Sequence, residues 1–180
     1  MRFAAVATLS VILLTGCGGD DKVPGEPPSA PLRMTLAAPG ISDGGSIPKE
    51  YTCEGRNFSP PLAWDGTPGN ARELAIVVED PDAPGDTFVH WVVAGIDPRT
   101  QMLDAGARLE DARQGRNSAG EARYTGPCPP EGDKPHRYVF SVYALRERTD
   151  APNGAPAETM IGQIRENAMA TGRLTGRFGR

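Results

Sequence analysis

The sequence predicts a mainly β protein, a loop-rich β-sandwich with one late helix. Three features lead there. Glu73–Glu79, Thr87–Ile96 and Tyr138–Leu145 are apolar runs rich in β-branched and aromatic residues, too short and too β-prone for helices. Eighteen prolines and 22 glycines break the remainder into turns. Only Pro156–Ala170 carries a clear helical period. A parallel nucleotide-binding sheet would need alternating helices, and no Gly-rich phosphate loop follows a strand.

The chain begins with Arg2, then an apolar run from Phe3 to Leu14, then Leu14-Thr15-Gly16-Cys17. The run is too short for an ordinary membrane span. It resembles a bacterial lipobox, which implies a signal peptide over residues 1–16 and a lipid on Cys17. A plain cleaved signal, or a false start codon, is the alternative. Residues 17–31 are polar and rich in Gly and Pro, and read as a flexible tether reaching roughly 20 Å. Residues 32–180 then form one domain, long enough to bury a substantial core.

Within that domain, Met34-Thr35-Leu36 reads as the first strand and Asp43-Gly44-Gly45 as a turn. Pro60-Pro61-Leu62-Ala63-Trp64 is extended, because proline biases the residue before it away from helix. The Glu73–Glu79 and Thr87–Ile96 strands follow. Gly106–Tyr124, with Arg108, Arg113, Arg116 and Arg123 among Gly, Asn and Ser, is expected to be irregular surface. In the next strand Tyr138, Phe140, Val142 and Ala144 share one face, and Val139, Ser141, Tyr143 and Leu145 the other. The helix is expected over Pro156–Ala170. Pro156 suits its first position, Glu158 favours the N-terminal dipole, and Gly172 offers a C-cap. Met160, Ile161, Ile164 and Ala168 form its core-facing stripe.

A net charge of −4 argues against a general nucleic-acid binder, which would show a basic face. With Cys17 assigned to lipid, Cys53 and Cys128 remain as a pair. An exported compartment permits disulfides, and a Cys53–Cys128 bridge is expected. Neither cysteine has a second ligand at metal spacing, so no metal site is expected.

The chain has only two histidines. His90 lies in Phe88-Val89-His90-Trp91-Val92-Val93 and His136 in Pro135-His136-Arg137-Tyr138-Val139-Phe140. Asp80-Pro81-Asp82-Ala83-Pro84 precedes the first, and Gly126-Pro127-Cys128-Pro129-Pro130 precedes the second. Imidazole is readily tuned near neutral pH, so both rings are expected in one pocket as cationic donors to an anion. Two unrelated core histidines are the alternative. A carboxylate on the proline-stiffened loop could orient a ring and raise its pKa. Strand alternation places Tyr138 beside His136 as a phenolic donor and turns Arg137 away, as a structural ion-pair partner.

These motifs, in this order, resemble the phosphatidylethanolamine-binding protein family, most closely its bacterial Raf-kinase-inhibitor-like branch. Asn57-Phe58-Ser59-Pro60-Pro61-Leu62-Ala63-Trp64 and Gly115-Arg116-Asn117-Ser118 match that branch too, and the similarity runs from about Met34 to Phe178. The resemblance implies a Greek-key β-sandwich of two antiparallel sheets with a C-terminal helix. It also implies a surface pocket for a phosphate-like or carboxylate head group, ringed by Asp80, Asp82, Pro84, His90, Pro129, Pro130, His136 and Tyr138. The lipoprotein start departs from many bacterial relatives and implies the periplasmic face of the cell envelope. Regulation of a eukaryotic kinase cascade does not carry over.

The expected function is therefore an envelope-tethered, non-enzymatic binding protein for a small anion or phospholipid head group, without cofactor or nucleic-acid partner. A protein-interaction role such as protease inhibition is the alternative and leaves the protein partner open. Phosphodiester hydrolysis by the two histidines fits less well. Such enzymes usually carry His-x-Ser/Thr, whereas here Trp91-Val92 and Arg137-Tyr138 follow the rings.

Overall fold

A computed structural model describes residues 32–180; the expected signal peptide, Cys17 and tether lie outside the described residues. The element order is β1 (Leu32–Arg33), β2 (Thr35–Ala37), β3 (Leu62–Asp65), β4 (Glu73–Asp80), β5 (Phe88–Ile96), β6 (Met102–Leu103), β7 (Arg113–Gln114), β8 (His136–Leu145), α1 (Ala157–Asn167) and β9 (Ala168–Phe178). One sheet has the order β1-β9-β8-β4-β5-β7 and the other β2-β3-β6. Neighbours run antiparallel, except that β1 pairs parallel to β9 at the sheet edge.

The larger sheet is buried on both faces at its centre, which explains its unbroken apolar strands. From β4, Leu74, Ile76 and Val78 enter the core between the sheets with Leu36, Trp64, Phe140 and Val142. Ala75 and Val77 enter a second core under the helix with Tyr143, Leu145, Met160, Ile161 and Ile164. Each fully buried Leu, Ile or Val side chain contributes about 1.5–3 kcal/mol. β8 divides its faces as the alternation predicts, with Tyr138 and Phe140 in the first core and Tyr143 and Leu145 in the second.

The late helix differs from expectation at both ends. Pro156 is its N-cap rather than its first residue, and the helix stops at Asn167 rather than Ala170. Gly172 does not cap it. Ala168 turns extended, and Ala168–Phe178 becomes β9, which pairs with β8 from Leu145↔Ala168 to His136↔Phe178. Hydrogen bonding along this ladder overrides a composition of Ala, Gly and Arg that is poor in β propensity. The small residues serve close packing: a Cβ on Gly172 would lie 2.8 Å from the Met34 carbonyl oxygen, and one on Gly176 2.5 Å from Ile47 Cγ1. The helix is thus followed by a long strand.

The Gly106–Tyr124 segment is mostly irregular, as expected, but it contributes the short β7. Arg113 there is no free surface charge: its guanidinium donates to buried Glu73 at 2.8 Å and to Thr149 Oγ1 at 3.0 Å.

Candidate functional site

The two histidines meet at one end of the larger sheet, where β4 finishes, β5 begins and β8 begins. A cavity of about 240 Å³ opens there. Asp80, His90, Thr125 and His136 contribute its polar side chains, and Ala83, Pro84, Phe88, Cys128, Pro129 and Pro130 much of the apolar wall. A larger cavity of about 480 Å³ lies around Glu73, at the far end of β4, roughly 23 Å away along the strand. Its buried carboxylate is already bound by Arg113 and Thr149.

His90 reaches the cavity through a β-bulge. Val78 pairs with Trp91 and Glu79 with Val89, so His90 is the extra residue on β5. Strict alternation from Trp91 would send His90 under the helix and Val89 between the sheets. The bulge reverses both: Val89 joins the helix-side core, and the His90 ring packs edge-on to Tyr138 with centroids 5.2 Å apart. Phe88 flanks the same ring at 4.7 Å. His90 Nδ1–H donates to the Thr125 carbonyl at 2.7 Å. Thr125 N–H returns a bond to the His90 carbonyl, and Asn117 Nδ2 binds the Thr125 hydroxyl and the Arg123 carbonyl. This fixes the tautomer with hydrogen on Nδ1 and leaves Nε2 without a partner among the described residues. Burial pushes His90 below the usual histidine range, and His136 adds to this. The Thr125 bond and the Asp80 carboxylate offset it only in part. With 4% of the residue exposed, burial thus works against the cationic form expected from the sequence.

Asp80 joins two elements. One carboxylate oxygen accepts the Asp82 backbone N–H at 2.8 Å, stiffening the proline loop, and the other accepts His136 Nδ1–H at 2.8 Å. The carboxylate-and-ring pair expected from the sequence is thus Asp80 with His136, both buried. His136 Nε2 lies 3.8 Å from the half-exposed Asp133.

Two other expected site residues are placed away from the cavity wall. Asp82 is engaged by Arg137, which donates from its backbone N–H at 2.8 Å, from Nε at 2.9 Å and from a terminal nitrogen at 2.6 Å. These bonds hold the Asp82 carboxyl down at about 2. Arg137 points away from the cavity, as the alternation predicts. Tyr138 is fully buried, and its hydroxyl has no partner at hydrogen-bond geometry among the described residues. Burial, then the nearby Asp80 carboxylate, pushes this phenol up. The Tyr138 ring packs against the rings of both His90 and His136.

The Cys53–Cys128 bridge is present, with Cα atoms 5.4 Å apart. It ties the proline rim to the Tyr51–Gly55 turn, where Cys53 N–H also donates to the Pro127 carbonyl at 3.1 Å. Asn57, at a φ of 57°, accepts the Gly126 N–H at 2.7 Å. Sequence reasoning did not single out Phe88, Thr125, Asn57 or Asn117 as site residues. Asn57 and Asn117 stood in recognised motifs, but their work as backbone splints depends on contacts 69 and 27 residues away.

The phosphatidylethanolamine-binding protein family model matches residues 37–179. The chain belongs to the phosphatidylethanolamine-binding protein family. Several family relatives align over most of their own length. A UPF0098 protein of Methanothermobacter thermautotrophicus is 41% identical over 152 residues, 82% of this chain and 99% of the relative. A Mycobacterium tuberculosis protein carrying the name lipoprotein LppC is 37% identical over 93% of this chain and 90% of its own. Among solved structures, the family homologue CT736 of Chlamydia trachomatis superposes with a TM-score of 0.76 at 37% identity, covering 82% of this chain and 98% of its own. YbcL of E. coli gives 0.78 at 31% identity, with the same coverage.

Proposed function

We propose that this chain is an envelope-tethered, non-enzymatic binding protein that holds a small oxyanion or phosphate-bearing head group in the Asp80–His90–His136 cavity. One observation carries the reading: a buried aspartate–histidine pair and a second buried imidazole line a single small cavity with an apolar wall. Such a site orients a polar group while excluding water. Pro84, Pro129 and Pro130 form its rigid rim. Among the described lining residues the hydroxyl and the sulfur are both engaged. The Cys128 sulfur is in a disulfide, and the Thr125 hydroxyl is engaged by Asn117 and Glu121. Tethering is supported by Leu14-Thr15-Gly16-Cys17 and by the likeness to a protein named as a lipoprotein.

Calorimetric titration with phosphate and acetate tests the cavity. Replacing His90 or His136 by alanine should each weaken binding by about 1.5–3 kcal/mol, the value of a hydrogen bond to a charged group. Asp80→Asn should weaken it without abolishing it. Binding indifferent to both histidine substitutions would overturn the reading. For the tether, Cys17→Ser should abolish fatty-acid labelling and release the protein from membranes; a wild-type chain carrying no lipid would refute it.

A further inference from the structure

The cavity is built to hold an oxyanion, on the reading above, yet it is poor in hydrogen-bond donors. None of its lining residues is Lys or Arg. Two guanidinium groups beside lining residues are committed elsewhere: Arg137 to Asp82, and Arg180 to the Pro129 carbonyl at 2.6 Å. Several of the lining residues offer no backbone donor either, although Ala83, Phe88 and Cys128 keep an N–H. Pro84, Pro129 and Pro130 have no N–H, and the Gly126 N–H is taken by Asn57. This is unlike an anion nest, where successive backbone N–H groups converge on the ligand.

The histidines do not repair the deficit fully. Each has its Nδ1–H fixed on an acceptor, His90 on the Thr125 carbonyl and His136 on Asp80. In a neutral ring with hydrogen on Nδ1, Nε2 is an acceptor. His90 is wedged between Phe88 and Tyr138, with Asp80 and His136 as the charged or titratable groups acting on it, and its burial favours the neutral form. A sulfate, a carboxylate or a fully ionised phosphate would bring lone pairs to the lone pair of His90 Nε2 and to the Asp80 carboxylate. A ligand with an O–H of its own would complete the pattern.

We propose that the cavity selects head groups that carry their own proton: hydrogen phosphate or a phosphate monoester bound as its monoanion, with the P–OH donating to His90 Nε2. Phosphodiesters and sulfate have no such hydrogen and are disfavoured. The preferred group is therefore a terminal phosphate, whether on a soluble metabolite or at the end of a lipid, rather than the diester of an intact ethanolamine phospholipid.

Linked proton uptake tests this on the full-length chain in detergent, by calorimetry at pH 7.5 in two buffers of different ionisation enthalpy. The ligands are glycerol phosphate, micellar phosphatidic acid, dimethyl phosphate and sodium sulfate. A monoester has its second pKa near 6, so at pH 7.5 it is mostly dianionic. Binding it as the monoanion should take up close to one more proton than binding sulfate. Both monoesters should bind more than tenfold tighter than sulfate and dimethyl phosphate at pH 5.5, and the tighter of the two identifies the soluble or the lipid source. His90→Gln, which can present an N–H, should erase the preference for phosphate over sulfate while leaving sulfate binding measurable. Equal proton uptake with glycerol phosphate and sulfate, or dimethyl phosphate binding as well as the monoesters, would overturn the proposal and leave the oxyanion pocket intact. Binding of none of the four would overturn the pocket itself.

Discussion

Replacing Cys53 and Cys128 together by serine should lower stability strongly while sparing the cavity. The bridge closes a sequence separation of 75 residues. The chain-entropy relation for a loop of that size gives an upper value of about 4.5 kcal/mol, acting mainly on the unfolded chain. For a domain of this length each kcal/mol shifts the midpoint by roughly 2–4 °C, so the melting temperature should drop by about 10 °C or more. The folded rim has other ties. Cys53 N–H bonds to Pro127, Gly126 N–H to Asn57, and the Tyr124 hydroxyl to the Tyr51 carbonyl at 3.0 Å. These hydrogen bonds join the same two loops independently of sulfur. Phosphate affinity of the double variant should therefore change by less than about tenfold, or 1.4 kcal/mol. Urea denaturation of wild type and variant, with calorimetric titration of both, measures the two effects. A stability loss below about 1 kcal/mol would refute the unfolded-state argument. An affinity collapse with a native-like midpoint would show that the disulfide alone shapes the rim.

Two further outcomes follow from contacts away from the cavity. The folded Asp82 carboxyl is depressed to about 2 from its ordinary 3.8 by Arg137, so its contribution is full above that ordinary value and is lost as the pH falls from about 4 to 2. Both partners are partly exposed, so the effect should stay within about 1 kcal/mol, and Asp82→Asn should flatten this part of an acid-unfolding curve; an unchanged curve would dismiss the pair as a stabiliser. Gly172→Ala should destabilise by about 1–3 kcal/mol, because its Cβ would press on the Met34 backbone rather than on a flexible side chain. A neutral result in urea would mean that β1 and the turn into β2 yield easily.

The three apolar strands were legible because burial on both faces demands apolar residues at every position, a signal that survives in sequence alone. β9 was not. Its inward positions are Ala168, Ala170, Gly172, Leu174, Gly176 and Phe178, four of the six too small to mark a core face, and at Gly172 and Gly176 the Met34 backbone and Ile47 crowd against the strand. The preceding helical stripe of Met160, Ile161 and Ile164 then runs on through Ala168 in sequence, although the chain has already turned extended. The same division holds at the cavity. The sequence identifies both histidines, the acidic loop and the proline rim, because rare residue types and stiff turns are visible without coordinates. Their hydrogen-bonding states are set by distant backbone. The carbonyl of Thr125, 35 residues on, decides which His90 nitrogen holds hydrogen. A one-residue bulge against β4 decides which side of the sheet that ring occupies. Alternation alone would bury His90 under the helix, and a reading by residue type alone would make it a cation. Bulge, carbonyl and burial together favour an acceptor at Nε2, and the proposed preference for a ligand that carries its own hydrogen rests on that state.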